Sequence, residues 1–90
     1  MTAAISVRYF TSATCVPCKK FLPVVKAAAE EYSAPLEVVS IDSSEGAEQA
    51  RSLGVLSVPQ AFIYHNGRVI DRFGVITRRQ LATKIESFLN

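Results

Sequence analysis

The sequence predicts an α/β fold, a four-stranded mixed sheet flanked by helices in the order β-α-β-α-β-β-α. Three observations carry that prediction. Runs rich in β-branched and aromatic residues alternate with amphipathic helical stretches through the first half of the chain, the pattern of a βαβ unit with parallel pairing. Two further runs are separated only by Asn66-Gly67, a strong hairpin signal. A last apolar stripe of helical period closes the chain.

Ile5 to Thr11 reads as the first strand. Val7, Tyr9 and Phe10 place apolar side chains on both parities, as in a strand covered on both faces, and Arg8 is expected at an edge or in solvent. From Lys19 to Tyr32, Phe21, Val25, Ala28 and Tyr32 form one helical stripe. Pro23 inside it removes a hydrogen bond and is expected to kink the helix. Ser33-Ala34-Pro35 ends it. Leu36 to Asp42 reads as a second strand, and Asp42 with Glu45 has capping-box spacing for a short helix from about Ser44 to Leu53. Gly54 is its natural stop. Gln60 to His65 and Arg68 to Phe73 are the hairpin strands. Thr77 and Gln80 have capping-box spacing before the closing helix, whose stripe is Leu81, Ile85, Phe88 and Leu89.

The chemistry is concentrated in Thr14-Cys15-Val16-Pro17-Cys18-Lys19-Lys20, which holds both cysteines between a strand and a helix start. A helix N-terminus carries unsatisfied N–H groups and the positive end of the macrodipole, so a thiolate there is stabilised and its pKa falls. Cys15, at or just before the first turn, is the candidate nucleophile. Cys18, one turn deeper on the same face, is the candidate resolving thiol. Pro17 fits a first-turn position, where no N–H is needed. Lys19 and Lys20 add nearby positive charge. Two readings compete. The cysteines could be only structural, or they could bind zinc. Zinc needs about four ligands, and His65 is the only other soft candidate in the chain, so a metal would have to bridge two chains. His65 itself reads as an exposed strand-end residue beside the hairpin.

The 90 residues make one small domain, and an apolar fraction of 49% suffices for a compact core. The net charge of +2 is mild and no basic run with interleaved aromatics occurs, so nucleic-acid binding has no support. No apolar run approaches a membrane span. Met1 to Ser6 lack a charged region and an apolar signal core, so a cytoplasmic, reducing setting is expected, in which two cysteines serve catalysis rather than stapling.

Four features together make the chain resemble the thioredoxin superfamily from Ile5 to Leu89: Cys15-Val16-Pro17-Cys18-Lys19 after a strand, Pro23 in the following helix, Ser57-Val58-Pro59 before the third strand, and Phe73-Gly74 before the last helix. The resemblance implies the minimal thioredoxin fold and a cis peptide bond at Pro59, beside the cysteines. It also implies an apolar groove of Val16, Pro17, Val58, Pro59, Gly74 and Val75 around Cys15, with the Val58 backbone pairing to a bound substrate strand. A thiol–disulfide oxidoreductase reducing protein disulfides follows, working as a monomer without metal or flavin and recharged by a thioredoxin reductase-type donor.

The departures from the family pattern are specific. Thr14 stands where most thioredoxins have tryptophan, and Val16 where they usually have glycine. Tyr9 stands where they often bury an aspartate that assists proton transfer to the second cysteine, and Val38 where a lysine often accompanies it. The N-terminal strand and helix of longer thioredoxins are absent, which leaves the core shared with glutaredoxins. A glutaredoxin-like electron donor, for example to ribonucleotide reductase, is therefore the redox alternative. Against it, only Gly74 of the expected Gly-Gly pair is present, followed by Val75. A non-catalytic binding module using the groove near Pro59 is the alternative from another class.

Overall fold

A computed structural model describes residues 5–89; Met1 to Ala4, on which the leader reading largely rests, and Asn90 lie outside the described residues. The elements are β1 (Ile5–Thr11), α1 (Val16–Glu31), β2 (Leu36–Ser40), α2 (Ser44–Ser52), β3 (Gln60–His65), β4 (Arg68–Phe73) and α3 (Arg78–Leu89). The sheet order is β2-β1-β3-β4, with β1 parallel to β2 and the β1/β3 and β3/β4 pairs antiparallel.

Alternation along the two central strands sorts the core into two layers. Ile5, Val7 and Tyr9 of β1 and Ala61 and Ile63 of β3 pack with Phe21, Val25 and Ala28 of α1 and Leu81 and Ile85 of α3. The intervening Phe10 and Phe62 face the other way, onto Val39 of β2 and Ala50 of α2. Their rings meet edge-on at 5.8 Å, a favoured aromatic geometry. The two parities of β1 therefore serve helices on opposite faces, as the sequence pattern requires. Arg8 is not at a sheet edge: β1 is central, and Arg8 reaches across to Glu37 on β2 (2.9 Å) while its guanidinium lies 5.1 Å from the Tyr64 ring centre.

Helix ends follow the local chemistry. α1 begins at Val16, not Lys19, because Cys15 is its N-cap and Pro17 sits in its first turn. It continues through Pro23, which leaves the Lys19 carbonyl without its intrahelical donor. Ser33 then adopts φ 54°, with Ser33 N–H bonded to Glu30 O and Ala34 N–H to Ala29 O, a Schellman closure with serine at the position glycine usually fills. Gly54 ends α2 the same way at φ 74°, with the Val55 N–H on Ala50 O. α3 carries the expected capping box: Gln80 N–H donates to Thr77 Oγ1 (3.1 Å) and Thr77 N–H to Gln80 Oε1 (2.9 Å).

The start of α2 corrects the sequence reading. β2 stops at Ser40, and the N-cap is Ser43, whose Oγ accepts from Gly46 N–H at 2.9 Å. Asp42 is unavailable as a cap because its carboxylate bonds the loop after β1. Gly46 matters for a steric reason: a Cβ there would lie 1.8 Å from the Ser40 carbonyl oxygen, so only glycine lets α2 sit this close to the end of β2.

Replacing the left-handed serine gives the first test. Ser33→Gly should raise stability by about 0.5–1 kcal/mol, since a Cβ at positive φ is disfavoured. An unchanged or lower urea midpoint would contradict this account of the end of α1.

Candidate active site

The parallel pairing of β1 and β2 brings their C-terminal ends together, and the loop that carries Cys15 leaves from this edge. Ile41 N–H donates to Thr11 O, which delivers Asp42 to the loop. Its carboxylate accepts from Ala13 N–H (2.8 Å) and from the buried Ser12 hydroxyl (3.0 Å). Cys15 N–H then bonds Ser12 O at 3.1 Å, closing a turn that presents Cys15 to α1. The Ala13 N–H and next the Ser12 hydroxyl hold the Asp42 carboxyl below its ordinary pKa, against a smaller opposing effect of partial burial.

Cys15 has extended backbone (φ −92°, ψ 102°), and its sulfur fills the place of an N-cap oxygen: Sγ accepts the Cys18 N–H at 3.1 Å. Cys15 and Cys18 are joined in a disulfide, with Cα atoms 5.2 Å apart, inside the usual range for such a bridge. Cys15 is half-buried and Cys18 fully buried. Cys15, the candidate nucleophile of the sequence reading, thus carries the more accessible sulfur, and Cys18, the candidate resolving thiol, carries the deeper one.

Facing this pair, Val58 O lies 3.7 Å from Cys15 Sγ, and the Val58–Pro59 peptide bond is cis, as the resemblance implied. Gly74 packs beside Pro59, where a Cβ would meet the Pro59 carbonyl oxygen at an ordinary 3.7 Å. Val16 and Val75 are 57% and 61% exposed and line one depression together with Pro17. Val58 lines a second depression, with Ile41, Val55 and the protruding Leu56. Of the six expected groove residues, Val16, Pro17 and Val75 thus share one hollow and Val58 lines another, while Pro59 and Gly74 line neither.

Beneath the disulfide, the buried Tyr9 hydroxyl donates to Cys18 O at 2.7 Å. Burial pushes the Tyr9 pKa up to about 12, so it stays protonated at neutral pH. Tyr9 anchors the first turn of α1 and accepts no proton. Sequence reasoning flagged the position but not this bond. It missed Ser12, and it assigned Asp42 to the wrong helix end. The usable signal for Asp42 was its place just past the strand that pairs in parallel with β1. His65 is half-buried rather than exposed, and it pairs with Ile5 at the opposite end of β1 from the cysteines. Among the described residues, no three His, Cys, Asp or Glu side chains converge as a metal site, and no helix is long and apolar enough to cross a membrane.

A half-buried sulfur capping a helix, with a second sulfur in bonding distance behind it, is the site of a thiol–disulfide oxidoreductase. The thioredoxin family model matches residues 2–87. A thioredoxin of Porphyra purpurea is 29% identical over 82 residues, covering 90% of this chain and 77% of its own. Thioredoxin 1 of Synechococcus elongatus is 30% identical over 81 residues, covering 89% and 76%. Among solved structures, thioredoxin 1 of Thermosipho africanus superposes with a TM-score of 0.82 at 24% identity and covers 92% of both chains. The chain belongs to the thioredoxin family. It is a thiol–disulfide oxidoreductase, and membership implies protein disulfides as substrates and a reductase as electron donor in general.

Two variants test the supports of the site. For Asp42 the folded pKa is depressed, so its stabilising contribution is full above the ordinary carboxyl value of about 4 and is lost as pH falls through the folded value. The gap in urea midpoint between wild type and Asp42→Asn should therefore be widest near neutrality and close in acid; an equal gap at about pH 3 and about pH 7 would refute the clamp. Tyr9→Phe should cost about 1 kcal/mol. It should leave the pH profile of disulfide reduction unchanged, and a displaced profile between about pH 6 and pH 9 would show that the hydroxyl takes part in proton transfer.

Proposed function

We propose that the protein reduces exposed disulfides of other proteins, with Cys15 as nucleophile and Cys18 as resolving thiol. The supporting observation is the Cys18 N–H bond to Cys15 Sγ at the start of α1. In the dithiol form that N–H and the helix dipole stabilise a Cys15 thiolate and lower its pKa. The thiolate attacks one sulfur of the substrate disulfide, forming a mixed disulfide and releasing the first substrate thiolate. Cys18 Sγ then attacks Cys15 Sγ. The bond between Cys15 and the substrate breaks, the second substrate sulfur departs, and the Cys15–Cys18 disulfide remains. Two electrons pass to the substrate. With Tyr9 locked as a donor, the Cys18 proton goes to the departing sulfur or to water rather than to a protein base.

Val16, Pro17, Val58, Pro59, Gly74 and Val75 form the docking surface around Cys15 in this reading, with the Val58 backbone beside the substrate strand. The dithiol carries both electrons itself, so the reading calls for no bound metal or flavin. A thioredoxin reductase is the proposed donor, the setting is a reducing cytoplasm, and the working unit is a monomer.

The test is insulin reduction with NADPH consumption followed in two arms, one with thioredoxin reductase and one with glutathione and glutathione reductase. Turnover in the first arm alone is expected. Turnover in the second alone would reassign the protein to the glutaredoxin-like donors, and silence in both and with dithiothreitol would favour a binding module. Cys15→Ser should lower the rate by about a thousandfold or more, whereas Cys18→Ser should accumulate a mixed disulfide visible by intact mass. An unshifted thiol pKa of about 8.5 in an alkylation titration would remove the electrostatic basis of the mechanism.

A further inference from the structure

One of the two hollows beside Cys15 has a chemistry that docking at the Val58 strand does not use. It is about 420 Å³ and lies between the start of α1 and the start of α3. Its apolar wall is Val16, Pro17, Phe21, Val24, Val75 and Ile76, and its charged residues are Lys20 and Arg78. No carboxylate lines it. Lys20 is exposed and makes no ion pair among the described residues. Arg78 has Glu31 at 4.0 Å, the limit of an ion pair, and its side chain stays 68% exposed. Lys19 and Arg79, exposed and adjacent in sequence, raise the local charge further.

The backbone adds to this field. Val16 and Pro17 belong to the first turn of α1, and Thr77 and Arg78 begin α3, so two helix N-termini meet at the hollow. Apart from Glu31 near Arg78, the acids are engaged or placed elsewhere. Glu45 and Glu48 are on α2, across the sheet; Glu30 is at the C-terminal end of α1; Asp42 is bound to Ala13 and Ser12; Glu86 accepts from the Tyr32 hydroxyl; Asp71 is paired with Lys84 and Glu37 with Arg8.

We infer that this hollow selects among substrates, taking a segment of a protein disulfide that carries an apolar side chain beside the reacting cysteine and Asp or Glu a few residues from it. The inference rests on the proposed reduction of protein disulfides. The occupant must bring a disulfide to Cys15, which makes it a protein segment. The apolar side chain enters between Val16 and Val75, and the acid reaches Lys20 and Arg78. Exposed cations of this kind act mainly on encounter and are screened by salt.

The experiment uses three disulfide-linked peptides of identical sequence except for two flanking positions that are Glu, Gln or Lys, with oxidised glutathione as a fourth substrate. Second-order rates with the reduced protein are measured by stopped flow at about 20 mM and about 0.5 M salt. The Glu peptide should react about fivefold faster than the Gln peptide at low salt, and the Lys peptide slower, with the differences closing at high salt. The double variant Lys20→Glu/Arg78→Glu should invert the Glu-to-Lys rate ratio, a quantity independent of how much protein is folded. Lys26→Glu, an exposed change on α1 outside the hollow, should keep the ratio. Equal rates for the three peptides, or a ratio the double variant does not move, would overturn the inference while leaving the reductase reading intact. Glutathione disulfide reacting as fast as the Glu peptide would overturn the assignment to a protein segment. Failure to reduce any of the four would overturn the reductase reading and the inference with it.

Discussion

The site depends on a hydrogen bond in which a sulfur does the work of a capping oxygen. Cys18 N–H, an orphan donor of the first turn of α1, is satisfied by Cys15 Sγ. That bond fixes where the helix begins, orients Cys15, and supplies a positive environment of the kind that favours a thiolate. Structure and reactivity are therefore coupled at one atom. The loop clamp of Asp42, the Tyr9 anchor below and the Val58 carbonyl opposite all act by holding that turn where it is.

Much of this arrangement was legible in the sequence because it rests on local signals. The two-sided apolar pattern of β1 announced a central strand, Asn66-Gly67 announced the hairpin, and Thr77 with Gln80 announced the start of α3. The cysteine spacing and Pro17 placed the reactive pair at a helix start. These residues express their preference within a few positions of chain, and tertiary packing agrees with each.

What the sequence concealed depends on contacts between segments distant in the chain. Asp42 had the spacing of a helix cap, and only the parallel register of β1 and β2 shows that it serves the cysteine loop instead. Gly46 carries no distinguishing local signal; its role appears only when the Ser40 carbonyl is seen against it. The apolar stripe of α1 was legible only from Lys19, and that the Cys15 sulfur itself caps the helix was not visible in the cysteine spacing. The separation of Val16, Pro17 and Val75 from Val58 into different hollows likewise depends on how α3 and the loop before Pro59 approach α1.

Tyr9 bears on what the fold costs to maintain. A carboxylate at the centre of so small a sheet would have to be desolvated, and the penalty would fall on a domain with little core to offset it. A phenol at that position fills the space with a ring against Phe21 and satisfies its one hydroxyl on Cys18 O. The interior therefore holds no charge beneath the cysteines, and its packing is insensitive to the acidity of the surroundings over most of the physiological range. The chain gives up a proton acceptor near Cys18 and keeps a dry, neutral foundation under the most reactive turn of the molecule.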